Sequence, residues 1–513
     1  MIDRQKSERA LGFWAFIAVI TLLAAGWRAW RLETPAFDND EVWQIVHCET
    51  DLAQQWYRHD NFPPLYHWVV SLVFAVAKTD QAARWFSLVC GVATIPLAGL
   101  LGRRLGGAAA GIAAAGLLAV SANHVLMSQL GRAYAPLILL ATVTMLLAWR
   151  LREHDSWRDW AAFIVAAWTL VATHYFGGVL LIVLGVLLLA EKGGKALGRA
   201  VAAAVILAIA GLPLVGSLRA DLKDSGEFFH HVGFDAEAYA MGYLWLVTGN
   251  TLGPSVTELR EMTSLGQKRE AIVAMAPWAL LAVAPVGVLL VAAWGKLNRG
   301  DRVWIAAIVL APPLVVLAAS SVVSTGFTYR YYVWVVVPLT AALGVGASTM
   351  RGRPLVAIAT GLLIALGVGA TLNRHFDPYY NENDFHAVAA LIERLDEESL
   401  PPAVLGAPLH YGRGVLYGLP NDWLKLPVSA HPDAEQDWDE KLPEFSSEAA
   451  PRKTAWLVTQ WFPKGHPQRE VCDELVDRLD AELVERVSST VMVYRFSTDR
   501  LRRAKDRTQP RAG

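Results

Sequence analysis

Asp38, Asn39, Asp40 and Glu41 stand in a row and put three carboxylates into the segment between the first two apolar runs of the chain. Charge at the edge of a bilayer is costly to hold, and where it is kept the reason is usually chemistry on a lipid-borne substrate. A carboxylate there can take the proton of an attacking hydroxyl. The same residues also suit a helix start. Asp38 or Asn39 could cap it, and Asp40 and Glu41 in its first turn would favour the helix dipole by about 0.3–1 kcal/mol each. Local sequence leaves these two readings level. It also leaves a divalent cation open, because Asp38, Asp40 and Glu41 could contribute to a hard-cation site while an acidic triplet does not specify one.

Other side chains able to do chemistry are fewer. His59, His67, His230 and His231 share no zinc spacing. Cys48, Cys90 and Cys472 make neither a disulfide framework nor a metal cluster, although Cys48 and Cys472 fall on the same expected side, which leaves a bridge between them open.

The elements that position these groups are membrane helices. Hydrophobic residues make up 54% of the chain, charged residues 18%, and the mean hydropathy is +0.32. Trp numbers 20, a content suited to interfacial belts. The net charge of -1 says little taken whole, but the absence of a clustered basic face argues against a nucleic-acid partner. Basic residues instead fall in short loops, at Arg4/Lys6/Arg9, Arg103/Arg104, Arg150/Arg152/Arg158, Lys192/Lys195/Arg199, Lys296/Arg299/Arg302 and Arg351/Arg353. They follow every second apolar run if the N-terminus is cytoplasmic. The pattern predicts about eleven transmembrane helices, near 11–31, 82–102, 107–123, 133–149, 159–173, 176–190, 198–218, 271–293, 303–322, 332–349 and 354–371. An odd number puts the C-terminus outside. Arg28 and Arg31, at the outer end of the first span, break the charge rule and either snorkel or face an anionic substrate.

Residues 65–77 are too few to cross about 30 Å of hydrocarbon at about 1.5 Å per residue, so they belong in the outer interface. Val42, Ile45, Val46, Leu52, Ala53 and Trp56 recur at helical spacing, which predicts an amphipathic in-plane helix before them. The first outer loop is thus a structured ledge.

Near Leu372 the chain changes character. A membrane domain, 1–371, gives way to a small extracytoplasmic α/β domain, 372–513. There Phe385, Val388, Ala389, Ile392 and Leu395 form a helical stripe with Asn383 as N-cap, and Glu470–Leu479 reads as a second helix. Strands are expected at Ala403–Leu405, Trp456–Thr459 and Val491–Phe496, with Leu419–Glu444 as loops. The first run is not a cleavable signal, being long, lacking a small-residue cleavage site and preceding many more spans.

One ordered set of motifs ties these elements together: Asp40-Glu41 after the first span, Pro63-Pro64-Leu65-Tyr66 in the same loop, Arg84 at the next span, and Gly102-Arg103-Arg104-Leu105-Gly106 at its inner end. Ser128-Gln129-Leu130-Gly131-Arg132-Ala133-Tyr134, His174-Tyr175-Phe176 and Tyr329-Arg330-Tyr331 follow on the outer side. Over roughly residues 10–350 the set resembles the membrane glycosyltransferases of the C-type fold. The similar branch contains protein O-mannosyltransferases, lipid A aminoarabinose transferases and lipopolysaccharide-core galacturonosyltransferases.

The resemblance implies an inverting hexosyl- or pentosyltransferase of the bacterial inner membrane with a periplasm-facing active site. It would move a sugar from a polyprenyl-phosphate donor to an envelope glycan, lipid or protein acceptor. Asp40 would be the base, with Glu41 completing the acidic pair. Arg132 and Arg330, each near tyrosines, would stabilise the departing lipid phosphate, with Arg84 and then Arg28 behind them. Tyr134, His174, Tyr175, Tyr329 and Tyr331 would contact substrate. Each has a plainer reading: arginines as interfacial anchors, tyrosines as belt residues, and His174 as a hydrogen-bonded histidine at a span end. Pro63 and Pro64 shape the loop. A polytopic lipid or solute transporter would also show many spans, but not the paired acids on a ledge or the large outer tail.

Overall fold

The computed structural model describes residues 2–35, 37–48, 52–55, 62–191, 195–229, 236–254, 265–323, 329–377, 380, 385–407, 416–427, 435–460, 467–487 and 491–501. The chain divides into two compact units. Met1–Leu32, Gln44–Leu252 and Ala276–Thr371 form one, and Glu33–Trp43, Gly253–Met275 and Leu372–Gly513 the other. His59, the His230–His231 pair and the Asn383 cap lie outside the described residues.

The helices run α1 (Ile2–Ala29), α2 (Asn39–Cys48), α3 (Leu52–Gln55), α4 (Pro64–Ala77), α5 (Ala82–Gly106), α6 (Ala108–Val120), α7 (Ala122–Gln129) and α8 (Tyr134–Glu153). They continue with α9 (Trp157–Thr173), α10 (Gly177–Glu191), α11 (Lys195–Phe229), α12 (Ala236–Thr248), α13 (Leu265–Trp294) and α14 (Arg299–Val323), then a 3-10 segment (Tyr329–Val335), α15 (Val336–Ala347) and α16 (Pro354–Phe376). Among the described residues, seven helices are long and apolar enough to cross a membrane, or eight if α6 and α7, bent by 59°, form one broken span. The protein is an integral membrane protein, because only helices that satisfy their own backbone groups can stand in hydrocarbon. α4, 14 residues long, is short of a span as expected. Of the ledge before it, α2 to Cys48 and α3 over Leu52–Gln55 are helical, and Trp56 lies outside the described residues.

The break between α6 and α7 frees backbone carbonyls inside the bundle, and Arg28 supplies what they lack. Its Nη1 donates to Ala119 O (2.9 Å) and Ala24 O (3.2 Å). Its Nη2 donates to Leu118 O (3.2 Å) and His124 Nδ1 (2.7 Å), and its Nε to Ser128 Oγ (3.2 Å). All five guanidinium donors are therefore committed to protein acceptors, and the cation also sits at the negative end of the α6 dipole. Arg28 is a structural clamp with no donor left for an anionic substrate.

The Gly102–Gly106 motif has a packing reason. A Cβ at Gly102 would come 2.7 Å from Ala114 Cβ and 2.9 Å from Ala110 O, and one at Gly344 would come 2.6 Å from both Ala110 O and Ala114 N. α5, α6 and α15 thus meet nearly backbone to backbone, as small residues permit in membranes. Three tryptophans expected to suit an interfacial belt, Trp149, Trp304 and Trp334, are instead fully buried in the bundle core.

At charged ends of three helices, Arg152 ties α8, α10 and α14 together. It grips Glu191 with Nε (2.7 Å) and Nη2 (3.0 Å), reaches Asp301 with Nη1 (2.6 Å), and lies 4.7 Å above the Trp304 ring.

In the second unit a five-stranded sheet runs β2-β1-β3-β5-β4, with β1 (Ala403–Ala407), β2 (Leu424–Pro427), β3 (Thr454–Gln460), β4 (Glu482–Arg486) and β5 (Val491–Ser497). β2, β1 and β3 are parallel, and β5 and β4 continue antiparallel. α17 (Phe385–Leu395) covers one face through Val388, Leu391 and Ile392. α18 (Glu435–Ala449) and α19 (Pro467–Leu479) cover the other through Leu442, Phe445, Leu475 and Leu479. The stretch Leu419–Glu444, expected as loop, contains β2 and the start of α18, and β4 was not foreseen. None of Cys48, Cys90 and Cys472 is in a disulfide, so the Cys48–Cys472 bridge is not formed.

Candidate active site

The acidic cluster starts α2 with a reciprocal capping box. Glu41 N–H donates to Asp38 Oδ1 (2.8 Å), and Asp38 N–H donates to Glu41 Oε2 (3.1 Å). Asp38 is therefore the N-cap and Glu41 the third helical residue, an acidic version of the Ser/Thr-x-x-Glu signature. Glu41 is buried and Asp40, between the two, is exposed. The plain reading of the cluster holds for Asp38 and Glu41, while Asp40 carries its carboxylate on the outside of the turn. Asp40 stands one turn before Gln44 on the same helix, and Gln44 Nε2 lies 3.0 Å from His67 Nδ1. Among the described residues no three of His, Cys, Asp and Glu come together as a group able to hold a metal ion.

In the membrane unit the fold brings Arg132, Tyr134 and His174 against Phe62, a residue assigned no role from sequence, and places Arg330 over Tyr134 and Tyr331 against Phe176. Arg132 follows α7 in the turn leading to α8, its carbonyl accepting from Ser87 Oγ (3.3 Å), and it is only 5% exposed. Its guanidinium carbon lies 4.5 Å from the Phe62 ring centre. The Phe62 ring meets His174 edge-on at 5.0 Å and Tyr134 at 6.2 Å. Arg330, in the 3-10 segment, lies 5.8 Å over the Tyr134 ring. Tyr331 stacks on Phe176 at 4.0 Å with the planes 7° apart. Two cations thus sit on two touching aromatic rings, each contact contributing about 0.5–2 kcal/mol depending on desolvation.

His174 has a defined protonation state. Its Nδ1 accepts the Phe176 N–H (3.3 Å), so the neutral ring carries its proton on Nε2. That Nε2 is buried with no hydrogen-bond partner among the described residues. Burial, and secondarily the charge of Arg132, push the imidazole down to about 3. His174 consequently offers an N–H donor beside Arg132 at any ordinary pH. His67, close to His47 at 4.3 Å between ring centres, is likewise held well below its usual value, first by burial and then by His47 and Arg132.

The remaining candidates sit apart from this cluster's centre. Arg84 is buried and donates to Leu32 O (3.1 Å). Tyr329 packs edge-on against Trp245 at 5.5 Å. Tyr175 is half-buried, its carbonyl taking the Gly178 N–H in the turn that opens α10.

Comparison with known proteins bears on the same elements. Residues 61–216, which include Phe62, Arg132, Tyr134 and His174, match the profile of the dolichyl-phosphate-mannose-protein mannosyltransferase family. ArnT from Cupriavidus metallidurans in the apo state has a similar structure, with a TM-score of 0.55 at 13% identity over 96% of this chain and 99% of that one. The same protein bound to undecaprenyl phosphate gives 0.49 at 14% identity, over 95% and 98%. The oligosaccharyltransferase AglB from Archaeoglobus fulgidus, in complex with an inhibitory peptide and a dolichol-phosphate, gives 0.49 at 13% identity, over 88% and 70%. No curated protein sequence matches the chain.

Proposed function

We propose, on the premise that this chain has the C-type membrane glycosyltransferase fold, that it transfers a sugar from a polyprenyl-phosphate donor to an acceptor hydroxyl. The observation that carries the reading is the pair Arg132 and Arg330 on the linked rings of Phe62 and Tyr134, with the unpartnered His174 Nε2–H beside them. Two guanidiniums and a neutral N–H donor suit a lipid phosphate whose charge grows as the sugar leaves.

In the reaction the acceptor oxygen bonds to the anomeric carbon from the face opposite the phosphate, the carbon–oxygen bond to phosphate breaks, and configuration inverts. The acceptor's proton goes to Asp40, and the polyprenyl phosphate departs with the bonding electrons. Glu41, committed to the Asp38 amide, supports Asp40 by holding the helix start. Arg84, Tyr134, Tyr175, Tyr329 and Tyr331 line the route for donor and sugar. No step is routed through a metal ion.

The topology proposed with this function has eleven spans. α9, α10 and α14 join the eight candidate crossings, the N-terminus is cytoplasmic, and the 372–513 domain is extracytoplasmic. Alternation of basic loops supports it, as does a bacterial inner membrane as its place. The acceptor belongs to envelope glycan, lipid or protein, and the sugar is a hexose or pentose.

The test is turnover of purified protein with radiolabelled undecaprenyl-phosphate sugars. Arg132→Ala and Arg330→Ala should each lower release of undecaprenyl phosphate by about 10²–10³-fold, as loss of one preorganised transition-state donor does. Lys at either position should recover part of it, since a point charge replaces a planar fork. Near-normal turnover in both alanine variants would reduce the two arginines to anchors and remove the reading.

A further inference from the structure

Phe62 stands at the centre of the cluster without being able to do chemistry itself. Its place is fixed from two sides. Pro63 is extended (φ -62°, ψ 153°) as the residue before α4, and Pro64 opens the helix at its first position, where a missing N–H costs nothing. Phe62 then falls one residue before the cap, and its ring packs against His67, the fourth helical residue, at 6.4 Å. This is the geometry of a hydrophobic staple, which sets the angle at which a chain approaches its helix. The ring is 7% exposed and presents one contact to the Arg132 guanidinium and another to His174.

We infer that Phe62 is a positioning residue for the phosphate site, holding the Arg132 guanidinium on its face and the His174 ring against its edge so that both donors address one anion. The inference rests on the phosphate-site reading above and adds the residue that aims it. A planar guanidinium on a flexible stem has many rotamers, and a desolvated aromatic face selects those in which the plane lies over the ring. The ring's electron-rich face also stabilises the cation where burial would otherwise penalise it.

The test uses full-length protein in nanodiscs and two probes, undecaprenyl phosphate and the uncharged undecaprenol, because the sugar is undefined. The readout is the ratio of their dissociation constants, which a merely structural role would not move. Phe62→Leu, which keeps apolar volume and loses the ring, should weaken undecaprenyl phosphate binding about 5- to 30-fold, the range for a desolvated cation–π contact. Undecaprenol binding should stay within about twofold by the same reasoning. Phe62→Tyr, which keeps the ring face, should restore the phosphate preference. In an Arg132→Ala background Phe62→Leu should cost nothing more, since the two act as one unit. If Arg132→Ala abolishes the preference and Phe62→Leu leaves it intact, or if Phe62→Leu costs the same factor in both backgrounds, the positioning role is wrong and the phosphate site stands. If wild-type protein does not distinguish the two lipids, both fall. Should Phe62→Leu fail to fold, ring-fluorinated phenylalanines at 62 keep the shape and drain the face. Phosphate affinity must then fall with each added fluorine, and a flat series overturns the inference.

Discussion

Replacing the three carboxylates at the start of α2 one at a time separates chemistry from capping, because the structure places them differently. Asp38→Ser and Glu41→Gln together rebuild a neutral capping box, since a hydroxyl can accept from the residue 41 amide and a carboxamide oxygen from the residue 38 amide. Each should change stability by no more than about 0.5 kcal/mol, whereas Asp38→Ala, which orphans a donor at a buried residue, should cost about 0.5–2 kcal/mol. Asp40→Asn leaves both box hydrogen bonds in place and removes the first-turn charge, whose share in stability is about 0.3–1 kcal/mol. Its effect on turnover should be of another order, about 10²–10⁴-fold, equivalent to roughly 3–5 kcal/mol of transition-state stabilisation. The assay pairs a thermal melt in detergent with single-turnover release of undecaprenyl phosphate from its labelled sugar ester. Full activity in Asp40→Asn, or an equal loss in Asp38→Ser and Asp40→Asn, would refute proton abstraction by Asp40 and leave the cluster as a helix cap.

His174, held near 3 in the folded protein against an ordinary 6.5, takes up a proton in the unfolded chain but not in the folded one between those values. Stability should therefore decline as pH falls from about 6.5 toward 3, and His174→Gln should flatten that decline in melts run from pH 7 to 4. A decline unchanged by the substitution would mean that other groups carry it. Where α8, α10 and α14 meet, Arg152→Met leaves Asp301 and Glu191 without their shared cation. Because Glu191 is a third exposed, the loss should be about 2 kcal/mol, below the 3–5 kcal/mol of a fully buried pair. A melting temperature equal to wild type would show that solvent replaces the contact.

Hydrophobic run length and the spacing of basic loops announced a membrane protein without any tertiary information, because hydrocarbon forces each crossing segment to be helical and continuous. Strands of the C-terminal sheet were equally plain, since buried central strands such as β1 and β3 are apolar runs of their own. β4 escaped because Glu482–Arg486 is a charged, exposed edge strand with no burial pattern to read. The ordered motifs located Arg132, His174 and Arg330 one by one, but not that they share a cluster. That convergence comes from packing four chain segments together, and no local pattern encodes it.

Phe62 shows the limit most clearly. In sequence it is one aromatic among many, before a proline pair that reads as shaping the loop. In the fold it touches Arg132, Tyr134, His174 and His67. Arg28 moved the other way: its position at a span end suggests an anchor or an anion ligand, yet the α6–α7 break turns free carbonyls toward it and uses every donor it has. Residue type and spacing therefore determined which groups could carry charge at the membrane edge. Which of them remain able to meet a substrate was decided by hydrogen-bond saturation and ring contact, quantities that exist only once distant segments have packed.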